Sequence, residues 1–170
     1  FSIFLFLYAN IIILLTVPSL FMIYKSLDLT ICSVFHSAAS KKLLEANAEF
    51  TKKINPERNW TWLVADNTPD RIEQMDERVF TVIPGVRRDE LMSRLPPYIV
   101  EKAGPVTSFH HAEALTILLH KVKTRFVVFL DNDLFILQPN WTHTIIDYMK
   151  AHDLGFFGVP WNPRWWNKYR

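Results

Sequence analysis

Apolar and polar positions along this chain alternate in blocks that predict strands separated by helices. Short apolar runs rich in β-branched and aromatic residues, closed by turn residues, are typical of strands buried in a parallel sheet. The predicted strands cover residues 29–35, 60–65, 79–83, 126–130, 134–137 and 154–159. The predicted helices cover residues 38–53, 70–76, 87–95, 108–122 and 141–151. This alternation predicts an α/β fold with a mostly parallel sheet, right-handed crossovers and flanking helices.

The helices at 38–53 and 108–122 show the clearest amphipathic spacing. In the first, Ser37 is the expected N-cap and Asn55 with Pro56 the expected end. Its predicted buried stripe consists of Leu43, Ala46, Phe50 and Ile54, with Lys41, Lys42, Glu45, Glu49 and Lys52 facing water. In the second, Ser108 is the expected cap, and the predicted buried side consists of Ala114, Leu115, Leu118 and Val122.

Residues 1–24 carry no charge, and an apolar run of this length is long enough to cross a bilayer as a helix. Lysines follow from Lys25 onward, which predicts that the remainder lies on the cytoplasmic face of a membrane. The chain starts with Phe1 and its first methionine is Met22, so a second interpretation is equally open. Residues 1–21 are then a non-native leader or the tail of a longer membrane region, and the protein is cytoplasmic if they are not native.

The composition excludes several classes of protein. The 170 residues suffice for one domain with a core, and a net charge of +2 without a dense basic cluster argues against nucleic-acid binding. The single cysteine, Cys32, lies in an apolar run and is interpreted as a small core residue. There is no glycine-rich phosphate loop, so any phosphorylated ligand must be held in another way.

The buried run 126–130 ends on two carboxylates, Asp131 and Asp133. Ligands of open α/β sheets bind outside the carboxyl ends of the strands, and such a pair can hold a divalent cation that carries a diphosphate. An ordinary Asp-Asn-Asp turn is the alternative. The strand at 60–65 also ends on an acid, Asp66, and two such strand ends are less easily explained by turn chemistry than one. We therefore predict that these three carboxylates open into one cleft.

His111 is a further candidate for this cleft. It falls in the first turn of the helix predicted to start at Ser108, where free N–H groups favour anions. A donating His111 would contact the diphosphate. The competing interpretation is a histidine at the surface or in ordinary packing.

The order of these segments resembles the nucleotide-sugar-binding half of GT-A glycosyltransferases, particularly the family 2-like bacterial enzymes. The residues that carry the resemblance are Leu63–Asn67, Ser108–Leu115, Leu130–Asp133, Pro139 and Gly158–Trp161. The resemblance covers about residues 27 to 161 and implies a GT-A, Rossmann-like sheet over residues 27–170. It also implies that this segment is the donor-binding part of a longer domain, truncated at its carboxyl end and inactive alone.

The resemblance further implies a transferase that moves a sugar from a nucleoside-diphosphate sugar to a glycan, lipid or protein acceptor. It assigns Asp66 and the adjoining Asn67 to the nucleobase side, and Phe35 and His36 to the turn that lines the nucleotide. It assigns Asp133 to Mn²⁺ or Mg²⁺, and Asp131 to both the metal and the ribose. The catalytic base comes from the other half of such enzymes, so no residue here is assigned that role.

Two alternatives are weighed against this interpretation. A non-catalytic nucleotide-binding or degenerate membrane-tethered module shares every feature above, and a carboxylate base in a continuation of the sequence would separate the two. Haloacid-dehalogenase-like phosphatases also carry an Asp-x-Asp pair after an apolar strand. They require Thr or Val two residues after the second acid, where this chain has Phe135, so we discount them.

Overall fold

A six-stranded sheet is the centre of this computed structural model, which describes residues 13–16, 28–57, 59–69, 75–97 and 107–158. The strands are β1 (Ile13–Thr16), β2 (Leu29–Phe35), β3 (Trp60–Asp66), β4 (Phe80–Pro84), β5 (Phe126–Phe129) and β6 (Phe156–Gly158). Their order is β4-β3-β2-β5-β1-β6. The first four in this order are parallel, whereas β1 runs antiparallel to both β5 and β6. The predicted α/β class is confirmed, and the four parallel strands are consistent with a Rossmann-like arrangement.

Helices pack on both faces of the sheet. They are α1 (Ala38–Ile54), α2 (Arg88–Arg94), α3 (Thr107–Leu119) and α4 (Trp141–Ala151). Buried residues of α1 and α4, such as Leu44 and Met149, share one core cluster with Ile31 of β2. Buried residues of α3, such as Leu118, share the other cluster with Cys32. The sheet is therefore covered on both sides, as its apolar strands require.

Several local predictions are confirmed. The hydroxyl of Ser37 accepts a hydrogen bond from the backbone N–H of Ser40 and caps α1, and Asn55 is its C-cap. Cys32 is a free, buried thiol, and burial raises its pKa. The predicted buried side of α3 is correct for Ala114, Leu115 and Leu118, with Val122 partly buried against them.

The predicted stripe of α1 is wrong at Leu43 and Ala46, which are exposed, whereas Ile54 packs partly buried against the core. Leu43 is 44% exposed, and the buried residues are Lys41, Leu44, Asn47, Ala48 and Thr51. The polar members of this set are tolerated because they find partners. Asn47 binds backbone carbonyls of the loop after β5, and the hydroxyl of Thr51 donates to Asn47.

A strand occupies Ile13–Thr16, where we predicted part of a membrane-spanning helix. At these residues the prediction is wrong, since an apolar run does not by itself distinguish a helix from a buried strand. The remainder of residues 1–24 lies outside the described residues. None of the helices in the described ranges is long and apolar enough to cross a membrane.

Other boundaries differ from the prediction. Residues 134–137 follow a turn and form no strand. Helix α3 begins at Thr107, so Ser108 lies inside it and not before it. Of the helix predicted at 70–76, residues 70–74 lie outside the described residues, and residues 75 and 76 are not helical.

Candidate functional site

The carboxyl edge of the sheet contains a crevice between β2 and β5. From β2 the chain passes through α1 to β3 on one side, whereas β5, on the other side of β2, is reached through α3. Helix α1, which follows β2, and helix α3, which precedes β5, cover opposite faces of the sheet. Such a switch in direction is where open α/β sheets bind ligands. The topology therefore places the candidate site at this point.

The acidic residues predicted to lie together share this edge. Phe35, the last residue of β2, pairs in register with Asp66 of β3. On the other side, the N–H of Leu130 donates to the carbonyl of Cys32, so the chain leaves β5 for Asp131 at the same edge. Strand β2 lies between the strands that lead to Asp66 and Asp131. The two residues are therefore separated by about 10 Å across the sheet.

Two histidines and a carboxylate meet in the crevice. Nε2 of His36, directly after β2, lies 3.3 Å from Nδ1 of His111 in α3. Nε2 of His111 lies 3.8 Å from Oδ1 of Asp131. The two imidazole rings have their centroids 5.6 Å apart at an angle of 36°. The line His36–His111–Asp131 therefore combines ring N–H donors for an anion with an oxygen ligand for a cation.

His111 does not lie in the first turn of its helix, where we predicted it. Because α3 begins at Thr107, His111 falls in the second turn, beyond the free N–H groups of the helix start. Its place at the edge instead follows from its contacts with His36 and Asp131. Burial, with the neighbouring His110, lowers the pKa of His111, and Asp131 opposes this shift.

The loop that carries the acids is held by main-chain contacts. Nδ2 of Asn132 donates to the carbonyl of Val34 at 2.8 Å, and Nδ2 of Asn47 donates to the carbonyl of Leu134 at 2.9 Å. With Asn132 turned toward β2, Asp131 stays partly exposed and Asp133 exposed. The two carboxylates are thus presented to solvent from a fixed loop.

A hydrogen-bonded chain connects this loop to the core. Nε1 of Trp62 donates to Oγ of Ser33 at 3.0 Å, and Oγ of Ser33 donates to the carbonyl of Leu130 at 2.6 Å. Trp62 and Ser33 are buried, so both bonds are shielded from water. The residue before Asp131 is therefore positioned from within the sheet.

The other predicted site residues make hydrogen bonds or packing contacts within the protein. Oδ1 of Asp66 accepts hydrogen bonds from the N–H and the hydroxyl of Thr68, at 2.9 and 2.5 Å. Nδ2 of Asn67 donates to the carbonyl of His110 at 3.1 Å. The side chain of Phe35 is 2% exposed and belongs to the core, so its backbone is what reaches the edge.

Sequence reasoning missed His110 and Gly85. His110 is buried, its ring hydrogen-bonds the carbonyl of Val86, and its centroid lies 5.8 Å from that of His36. At Gly85 an added Cβ would lie 1.8 Å from Oδ1 of Asn67, so only glycine fits there. The one sequence signal for His110 is its position beside His111.

The donor set bears on which metal the site fits. Nowhere in the described ranges do three or more His, Cys, Asp or Glu side chains form a group that could hold a metal. Asp131 and Asp133 supply two carboxylates, and Mg²⁺ bound with phosphates often takes only one or two from the protein. The residues therefore fit a Mg²⁺ or Mn²⁺ ion whose remaining ligands are phosphate oxygens and water, and not a metal centre complete in itself.

The neutral form of His36 makes stability depend on pH. Much of the surface of His36 is exposed, yet partial burial of its ring, followed by repulsion from His111 and His110, lowers the pKa of His36 to about 4. An unfolded histidine titrates near 6.5, so between these pH values only the unfolded chain binds the proton. Stability is therefore highest above pH 6.5 and is lost as the pH falls toward 4. We expect the melting temperature of His36→Gln to fall less than that of the wild type between pH 7 and pH 5.

The control for this measurement is His120→Gln, at the exposed turn after α3. It should show the wild-type loss of melting temperature over the same pH range. Equal losses for His36→Gln and the wild type would contradict the interpretation of His36.

Comparison with family models, curated proteins and solved structures found no match to this chain. The resemblance to GT-A glycosyltransferases therefore depends on the segments quoted from the sequence.

Proposed function

We propose that this chain is the donor-binding part of a metal-dependent glycosyltransferase of the GT-A type. Its crevice between β2 and β5 would bind a nucleoside-diphosphate sugar. The observation that carries the proposal is the meeting of His36, His111 and Asp131 at the switch point of a parallel sheet. This position suits a nucleotide, and it combines groups that can bind an anion with a group that can bind a cation.

Each residue has a role in this proposal. Asp131 and Asp133 hold Mn²⁺ or Mg²⁺ together with the diphosphate. His111 donates a hydrogen bond from Nε2 to a phosphate oxygen, and neutral His36 donates its Nε2–H to Nδ1 of His111. When bound, the cation acts as a Lewis acid that stabilises the charge growing on the departing diphosphate.

The nucleoside lies toward β3 in this arrangement. Asp66 and Asn67 are at the same edge one strand from Asp131, and both are buried. The free oxygen acceptors of Asp66 and the backbone of Phe35 would contact this part of the ligand. The acceptor would be a glycan, lipid or protein, bound with the help of residues outside this donor-binding part.

Electrostatics make the proposed binding depend on metal. A diphosphate approaching Asp131 and Asp133 without a cation is repelled, by about 4 kcal/mol for each pair of unit charges at 4 Å and an effective dielectric constant of 20. A divalent cation between the carboxylates and the diphosphate turns this repulsion into attraction. Histidine donors alone offset only part of the repulsion, since a hydrogen bond to a charged group contributes about 1.5–3 kcal/mol.

Calorimetric titration with UDP, GDP, CDP and ADP tests this function. We expect at least one to bind in the presence of Mn²⁺ and to bind about 100-fold more weakly in EDTA, in line with the repulsion above. Equal affinity in EDTA would instead favour a metal-independent, non-catalytic nucleotide-binding module. Failure of all four to bind with Mn²⁺ would contradict donor binding.

A further inference from the structure

A cavity of about 380 Å³ lies beyond the carboxyl ends of β3 and β4. Asn67 lines it from the end of β3, and Arg87, Arg88, Asp89 and Met92 line it from the start of α2. Its volume is within the range of sites for small organic molecules. Its described lining residues include Asn67, which we predicted on the nucleobase side, but not His36, His111 or Asp131.

The charges in the wall of this cavity are not balanced. Nε of Arg87 lies 3.6 Å from Oδ1 of Asp89, which pairs these two side chains. Among the residues that the structure describes, no carboxylate forms an ion pair with Arg88. Among the described lining residues, two arginines therefore stand against one carboxylate. The guanidinium of Arg88 presents a planar fork of N–H donors that matches the geometry of a carboxylate or a phosphate.

The same cavity has an apolar side. Pro69 and Met92 line it together with the charged residues. Methionine adapts its shape to irregular or flat partners. A ligand that suits both sides has an acidic group for Arg88 and an apolar or flat body for Met92 and Pro69.

We propose that this cavity is a second binding site, for a small organic anion whose phosphate or carboxylate group is bound by Arg88. The site differs from the proposed metal site, because neither Asp131 nor Asp133 is among its described lining residues. Its wall nevertheless adjoins the crevice, since Asn67 donates to the carbonyl of His110, next to His111. This anion is therefore bound beside the donor and not in its place.

The test is a titration of the isotope-labelled chain followed by NMR, without Mn²⁺ or nucleotide. The probes are phenyl phosphate and benzoate, each an anion on a flat apolar body, at an ionic strength kept constant with NaCl. We expect saturable shifts of the backbone amides of Arg88, Asp89 and Met92 with at least one probe. A response to one probe alone assigns the ligand to phosphate esters or to carboxylates, and a response to both supports the shared oxyanion chemistry.

Two variants make the result specific. Arg88→Gln should weaken binding of the probe about tenfold or more, because a charge-assisted hydrogen bond is lost. Arg94→Gln changes an exposed arginine of the same helix that pairs with Glu90 and does not line the cavity, so its affinity should equal that of the wild type. Circular dichroism would verify that both variants are folded.

Several results would overturn the proposal. They are the lack of any saturable shift with both probes, equal effects of the two arginine variants, or shifts centred on His36 and His111. Asp133→Ala separates this site from the donor site, since it should leave probe binding unchanged. A variant that loses nucleotide binding but keeps probe binding is changed at the crevice alone. A variant that loses probe binding but keeps nucleotide binding is changed at the cavity alone.

Discussion

Asp133→Ala is expected to abolish Mn²⁺-dependent binding of a nucleoside diphosphate, with a loss of affinity of at least about 100-fold. Even residues that only support metal ligands typically cost 10–100-fold in metal affinity when changed, and a direct ligand should cost at least as much. Asp133 is exposed, so the substitution should alter stability little. The measurement is calorimetric titration of the variant with the diphosphate that the wild type binds, with Mn²⁺ present.

The matched control is Asp147→Ala. Asp147 is an exposed acid of α4, a helix whose Lys150 pairs with Asp28 at the opposite edge of the sheet. It changes the net charge equally without touching the crevice, so its affinity should equal that of the wild type. Wild-type heats for Asp133→Ala, or equal losses in both variants, would rule out Asp133 as a metal ligand.

Trp62→Ala is expected to cause a loss of stability of about 3–5 kcal/mol, the usual cost of removing a large aromatic side chain from a core. Trp62 is 0% exposed. Its ring meets those of Trp60 and Phe80 edge to face, at centroid distances of 5.9 and 5.7 Å. Since small domains are stable by only about 5–15 kcal/mol, the variant should be close to unfolding. Urea denaturation followed by circular dichroism measures the change.

Trp62→Phe separates packing from hydrogen bonding. It keeps most of the buried ring but removes the N–H that donates to Ser33. Its loss of stability should therefore be well below that of Trp62→Ala, at about 1–2 kcal/mol. A loss under about 1 kcal/mol for Trp62→Ala would show that this ring is not part of a close-packed core.

The sequence was sufficient to predict the parallel strands, because each is a compact apolar run with its own turn signal. The orientation of α1 was not predictable in the same way. Counting apolar residues selected Leu43 as buried, whereas Asn47 and Thr51 lie on the buried face. Asn47 is satisfied there by carbonyls of the loop after β5, 85 or more residues further along the chain, which helical periodicity does not reveal.

Residues 13–16 show a second limit of predicting structure from the pattern of apolar residues. Their run is apolar enough for a membrane helix, yet here it pairs with β5 and β6. A membrane helix and a buried strand both favour apolar residues. Which of the two forms depends on whether neighbouring strands are available. That information lies more than 100 residues away in the chain, in the register of Ile13 with Phe129.

The candidate site was only partly predictable for a related reason. Asp66 and Asp131 follow strands, so their common edge was deducible from the alternation of elements. The contact between His36 and His111 joins residues 75 positions apart and depends on how α3 lies across the sheet. The cavity at Arg88 left no motif at all, because its wall combines the segment after β3 with the start of α2.

Paramagnetic broadening by Mn²⁺ shows whether the crevice between β2 and β5 holds a metal–nucleotide complex. Mn²⁺ is added to the isotope-labelled chain with and without the nucleoside diphosphate, and line widths are measured along the whole sequence. We predict that, with the nucleotide, broadening is strongest at Asp131, Asp133, His111 and His36, and that it is much weaker with Mn²⁺ alone. Broadening centred elsewhere in the chain, or identical with and without the nucleotide, would contradict binding of this complex in the crevice.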